Sequence, residues 1–133
     1  MGRRLILDTN ALSTIERDPS ATSLDDDDLA VAALTIAQYR AGIELAETAR
    51  RAADRSRALA AIQDNVAVLD YTEATAAAHA RLLAHVHRTG QPRSAHDLII
   101  AAHAVQTGRT ILSNDARARF GDLPAVVAVD LVD

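Results

Sequence analysis

Arg4-Leu5-Ile6-Leu7-Asp8-Thr9-Asn10 decides the fold, because three apolar residues run straight into a carboxylate. A short apolar run suits a strand covered on both faces, and Thr9 and Asn10 are favoured where helices start. Asp8 is thereby placed at the carboxyl end of a strand, where open parallel sheets form their ligand crevices. Two more acids fall at comparable points: Asp97 in the first turn of a helical stretch opened by Ser94, and Asp115 just after the strand-like Thr110-Ile111-Leu112-Ser113. The expectation is that Asp8, Asp97 and Asp115 meet in space and hold a divalent metal.

Outward from that stretch, strand and helix signals alternate. Ala11 to Arg17 reads as a short helix stopped before Pro19, since a residue preceding proline is pushed out of the helical region. Ser20 to Asp28 is a polar loop ending in four consecutive aspartates, and such a like-charged run is expected to spread into solvent rather than hold a metal. Leu29 to Leu34 reads as a second strand, and Thr35 as the N-cap of a helix whose Ile36, Tyr39, Ile43 and Ala46 share one side. The cationic stretch Arg50 to Arg57 runs on to Ile62 as the second helix of a pair, its arginines a solvated face.

Val66 to Asp70 makes a third strand. Thr72 caps a helix with an apolar face of Ala76, Leu82, Leu83 and Val86 that stops at Gly90. The Ser94-Ala95-His96-Asp97 spacing resembles a capping box with Asp in the place of Glu, and that helix runs to Gly108. Thr110 to Ser113 is a fourth strand, Phe120 belongs to a short helical piece, and Ala125 to Val129 is a fifth strand. Strands separated by helices imply right-handed crossovers, hence an α/β fold with a central, mainly parallel sheet and helices on both faces. Its 133 residues are read as a single domain, 1–133.

Composition narrows the function classes. With 49% hydrophobic and 24% charged residues the chain is globular, and with only 2% aromatics the core must be aliphatic. A net charge of −4 argues against a uniformly basic nucleic-acid surface but leaves room for a local patch of arginine, which supplies every cationic side chain. No membrane-spanning stretch or signal-peptide-like apolar region is seen, so a cytoplasmic protein is expected. Zero cysteines exclude disulfides and thiolate metal sites. The five histidines are not spaced as a zinc ligand set and are read as surface or partly buried helix residues.

Carboxylates converging at strand ends would repel one another and raise each other's pKa; a bound Mg2+ or Mn2+ removes that penalty. Each acid also has a structural reading: Asp8 as a cap, Asp97 as a first-turn acid favoured by the helix dipole, Asp115 as a turn residue. Their joint placement favours chemistry.

The Leu7-Asp8-Thr9-Asn10 opening, the stretch Leu34 to Gly42, the block Asp97 to Ala104 and the run Ile111 to Asp115 resemble the four signature regions of PIN-domain ribonucleases, most of all VapC-type toxins of bacterial toxin-antitoxin pairs. The resemblance covers essentially the whole chain. It implies a PIN-like domain acting as a Mg2+- or Mn2+-dependent endoribonuclease on structured RNA such as transfer or ribosomal RNA, homodimeric and held inactive by a cognate antitoxin. It also implies that Asp8, Asp97 and Asp115 are the metal-site acids, with Thr9, Asn10 and Ser113 as polar supports. The helix pair from Thr35 to Asn65 is the surface expected to meet the antitoxin.

One position departs from the family pattern. Where the family normally carries glutamate, in a Thr-x-x-Glu-Leu pattern, this chain has Gln38 followed by Tyr39. Glutamine keeps the size but loses the charge, so reduced activity is expected, whether the residue is natural or an engineered change. Glu44, six residues on, lies on a different side of the helix and is no replacement. A non-catalytic PIN-like module that binds RNA or antitoxin is the alternative. A phosphate-accepting receiver domain would need a lysine, which is absent, and a haloacid-type phosphatase would need an Asp where Asn10 stands.

Overall fold

A computed structural model describes residues 2–17, 24 and 26–130 of the chain. Five strands alternate with helices: β1 (Arg4–Leu7), α1 (Thr9–Arg17), β2 (Asp28–Ala32), α2 (Ala33–Glu44), α3 (Ala49–Gln63), β3 (Ala67–Leu69), α4 (Glu73–Thr89), α5 (Ala95–Thr107), β4 (Thr110–Leu112) and β5 (Ala128–Val129). Two 3₁₀ turns, Ala116–Ala118 and Phe120–Asp122, lie between β4 and β5. The strands form one sheet in the order β3-β2-β1-β4-β5, and every neighbouring pair is parallel. β1 is therefore central, and the sheet order reverses beside it, where β1 is flanked by β2 and β4. That is the switch point at which open α/β sheets present a crevice.

Alternation along the strands builds two cores. Leu5 and Leu7 of β1, Val31 of β2 and Leu112 of β4 face α1, α2 and α3, meeting Leu12, Ile36, Tyr39 and Leu59. Ile6 and Ile111 point the other way, into Ala78 and Leu82 of α4 and Leu98, Ile100 and Ala101 of α5. Alanine lets α4 and α5 approach closely, with Ala101, Ala102 and Ala104 buried beneath α4. Glycine ends both helices as expected: Gly90 and Gly108 each take φ of 65°, a left-handed turn that costs a residue without Cβ little.

The structure corrects several sequence expectations. Strand β2 ends at Ala32 rather than Leu34, and it runs into α2 with no intervening loop, so the N-cap is Ala32 with no side-chain cap. Thr35 is consequently not a cap but a buried residue of the first turn. Strand β5 is only Ala128–Val129, because Ala125 takes a positive φ of 64° that breaks the extended chain. Leu83, expected on the apolar face of α4, is 49% exposed, while Ala78, which was not expected there, is buried beside Leu82. Of the histidines, expected at the surface or partly buried, His103 is fully buried in α5. Ser20 to Ser23, Pro19 and Asp25 lie outside the described residues.

Asp27 and Asp28 of the acidic run pair with arginine. Asp27 accepts from the Arg3 amide at 2.8 Å and its guanidinium at 3.0 Å, which holds its carboxyl below the usual range. Asp28 meets Arg109, whose nearly buried Nη1 donates to Leu5 O at 3.1 Å, Asp28 O at 3.0 Å and Asp28 Oδ1 at 3.2 Å. One guanidinium thus joins β1, β2 and the start of β4 at the end of the sheet opposite Asp8. Arg109→Ala should cost about 2–3 kcal/mol, the size of lost hydrogen bonds to a charged donor. Urea unfolding reads this directly, and a midpoint unmoved from the parent chain would remove Arg109 from that role.

Candidate functional site

The end of β1 builds the centre of the site. Asp8 is 4% exposed; its amide donates to Leu112 O on β4 at 3.3 Å and its carbonyl accepts from Leu12 N at 3.0 Å. Its carboxylate is held from both sides. Oδ1 accepts from the Ala11 amide at 2.8 Å, capping α1, and Oδ2 accepts from the Ser113 hydroxyl. Ser113 is itself buried, and its Oγ accepts from the Asp115 amide at 3.0 Å. One hydroxyl therefore ties the acid after β1 to the acid after β4.

Asp115 starts the 3₁₀ turn Ala116–Ala118 and accepts from the Arg117 amide at 3.1 Å. Asp97 sits in the first turn of α5, its amide donating to Ser94 Oγ at 3.1 Å. Only that half of the anticipated capping box is formed, and Asp97 is partly exposed. Burial pushes the Asp8 carboxyl above its ordinary range; the hydrogen bonds from Ser113 and Ala11 oppose this, while the charges of Asp97 and Asp115 add to it. All three acids are thus electrostatic neighbours. Among the described residues, however, no three Asp, Glu or His side chains are drawn into a ready-made metal-ligand group.

Gln38 reaches the same place from α2. Its Oε1 accepts from Thr9 Oγ1 at 3.2 Å, and Thr9 Oγ1 lies 3.2 Å from His96 Nε2. A hydroxyl has one proton, so Thr9 gives it to Gln38 and takes one from the ring, which fixes the His96 proton on Nε2. Thr35 Oγ1 lies 3.4 Å from the same nitrogen, whereas Nδ1 is buried without a partner. Burial lowers the His96 pKa against the pull of Asp97 and Asp8, consistent with a neutral ring. Asn10 is exposed and joins none of these hydrogen bonds, while Glu44 lies exposed at the last turn of α2.

Sequence reasoning missed three contributors. By spacing His96 does not stand out from the other histidines, although its place next to Asp97 is a usable signal. Thr35 has the local look of a cap, and its burial on a helix directly after a strand depends on the short β2. Arg93 gave no signal at all. Its buried guanidinium donates from Nη1 to Ala118 O at 2.6 Å and Arg119 O at 2.7 Å, which anchors the turn that Asp115 begins.

The sequence profile of the PIN domain matches residues 5–124. This chain belongs to the PIN-domain family. Solved structures with the same PIN architecture include a chain of VapBC2 from Rickettsia felis, bound there to a promoter DNA fragment, at a TM-score of 0.83 and 15% identity over 96% of this chain and 98% of that one. A chain of DNA-bound VapBC from Salmonella typhimurium gives 0.76 at 23% identity, covering 98% and 99%. VapBC-5 from Mycobacterium tuberculosis, of the VapBC family of toxin-antitoxin systems, gives 0.75 at 24% identity, covering 98% of each. At these identities the likeness speaks for the fold. No curated protein matches the sequence. Within the PIN domain, then, Asp8, Asp97, Asp115 and Gln38 occupy the end of the sheet where the order reverses, and no helix of the described residues is long and apolar enough to cross a membrane.

Proposed function

We propose that this PIN domain is a metal-dependent endoribonuclease of the VapC toxin type, attenuated by Gln38. The observation that carries the reading is the buried Asp8 carboxylate, raised in pKa by burial and by two further acids at the same end of the sheet. Such a group is at a disadvantage when charged, and a cation is the simplest way to offset it. The donors are all oxygens, as magnesium and manganese prefer, and magnesium's habit of keeping several waters suits acids that are near one another without forming a closed cage. Asp8, Asp97 and Asp115 would hold the ion. When bound, it supplies charge neutralisation at a phosphoryl oxygen and lowers the pKa of water.

The chain's own side chains do the rest. Ser113 and the Ala11 amide fix the Asp8 carboxylate in one orientation, and Arg93 holds the turn after Asp115. His96, as donor, fixes the Thr9 hydroxyl, and Thr9 in turn holds the Gln38 side chain. At Gln38 the uncharged amide removes an anionic ligand or base that the family normally has there.

Structured RNA of the transfer or ribosomal class is the substrate this reading names, and a cognate antitoxin the partner; the toxin-antitoxin assemblies among the structural relatives support the partner. The α2–α3 pair presents Leu34 at 37% and Leu45 at 82% exposure, an apolar surface suited to covering. Added antitoxin should slow hydrogen exchange across residues 34–65, and protection confined elsewhere would move the interface. Homodimerisation and a cytoplasmic setting accompany the same reading.

Gln38 also favours a second reading, a PIN-like module that binds RNA or antitoxin without cutting. Cleavage of total RNA with Mn2+ by the parent chain and by Gln38→Glu separates the two. Binding without turnover in both would establish the module.

A further inference from the structure

Beside the acids a recess of about 510 Å³ opens between the end of β5 and the 3₁₀ turns, sharing Ser113 and Asp115 with the site. Its size falls within the roughly 300–1,000 Å³ of small-ligand sites. Its lining divides by chemistry. Phe120, Ala128 and Val129 give an apolar wall, while Arg119 supplies one positive charge against the carboxylates of Asp115 and Asp130.

Asp130 follows β5 as Asp115 follows β4, so both carboxylates stand at the same end of the sheet, one strand apart. Asp130 is exposed, and neither its carboxylate nor the Arg119 guanidinium has a hydrogen-bond or ion-pair partner among the described residues. The Arg119 backbone is nevertheless fixed: it takes a positive φ of 48°, and its carbonyl accepts from the buried Arg93. A cation on a fixed backbone and an unpaired carboxylate thus face one half-apolar recess that opens onto the acidic site.

We propose that this recess is a base-reading subsite for one unpaired guanine nucleotide of the RNA, adjacent to the phosphate held at the acids. The proposal rests on the nuclease reading for its substrate but not for its chemistry of recognition. Two carboxylates in or beside the recess repel phosphate, so the base edge meets Asp130 and the phosphate meets Arg119 at the mouth. A carboxylate only accepts, and can accept two parallel hydrogen bonds. Guanine alone offers two adjacent donors, N1–H and the N2 amino group, on its Watson–Crick edge. Cytosine and adenine set an acceptor beside their amino group, and uracil has a single N–H between two carbonyls. That edge is available only in unpaired RNA, where proteins read splayed bases against apolar and aromatic walls.

Titration of the ¹⁵N-labelled full chain with 5′-GMP, 5′-AMP, 5′-CMP and 5′-UMP, in metal-free buffer, tests the subsite without any cleavage. The expected result is amide shifts at residues 115–120 and 128–130, with 5′-GMP bound about tenfold tighter than 5′-UMP, the scale of one bidentate contact. Asp130→Asn should erase the preference for 5′-GMP. Arg119→Asn, chosen because asparagine tolerates a left-handed backbone, should weaken all four nucleotides alike. Equal affinities for the four, or shifts confined to other residues, would overturn the proposal. The two readings fail separately: 5′-GMP binding here with no RNA cleavage by Gln38→Glu sinks the nuclease and keeps the subsite. Cleavage whose base preference survives Asp130→Asn keeps the nuclease and sinks the subsite.

Discussion

Gln38→Glu is expected to raise Mn2+-dependent cleavage of RNA by roughly ten- to a hundredfold, the range over which a missing ligand or supporting group changes metal-site activity. The geometry makes the exchange a clean one. Gln38 Oε1 already accepts the Thr9 hydroxyl proton at 3.2 Å, and a carboxylate oxygen accepts the same bond from the same place. Thr9, His96 and Thr35 therefore need not rearrange, and the difference between the two chains is one negative charge at a half-built acidic site. Without metal that charge works against folding, because it joins acids that already raise the pKa of Asp8. The variant should accordingly be less stable than the parent in chelator and gain more from Mn2+. A rise in activity with no greater dependence on metal would assign Gln38 to substrate binding instead. Equal activity of the two chains would take residue 38 out of the site.

What the sequence disclosed, and what it hid, follows from the range of the interactions concerned. The apolar run of β1 ending on Asp8, the glycine stops at Gly90 and Gly108 and the Ser94 cap are local patterns, and the structure keeps them. The alternation of strand and helix likewise implied a parallel sheet, which is what forms. Element ends read less well where a local signal met a tertiary demand: Thr35 looks like a cap, yet β2 passes directly into α2 and turns its hydroxyl inward to His96. Long-range contributors left no trace. Arg93 reaches carbonyls of residues 25 and 26 positions away, and Ser113 joins an acid 105 positions earlier, separations that no spacing rule addresses. His96 lies between these cases: its neighbour Asp97 stands out in the sequence, but its two threonine contacts come from α1 and α2.

Asp8→Asn should abolish most cleavage, on the order of a hundredfold or more for a group on which charge stabilisation depends, while making the metal-free chain more stable at neutral pH. The sign follows from the direction of the shift. A carboxyl whose folded pKa lies above its ordinary 3.8 keeps its proton longer in the folded chain than in the unfolded one. Ionising it therefore costs stability; the cost is absent below pH 3.8, grows as pH rises to the folded value and is fully present above it. Asparagine carries no charge, keeps an oxygen for the Ala11 amide and offers an N–H to Ser113 Oγ, so it removes the ionisation cost and retains the shape, offset in part by the Ser113 proton losing its acceptor. Urea midpoints of the variant should lie above those of the parent at pH 7 and approach them toward pH 4. Mn2+ should reverse the order, because at about a hundredfold excess over its dissociation constant a ligand adds about 2.7 kcal/mol, roughly 10 °C for a domain of this size, to the parent and far less to the variant. An acid that merely caps α1 predicts a different pattern: asparagine caps as well as aspartate, and neither chain responds to the ion.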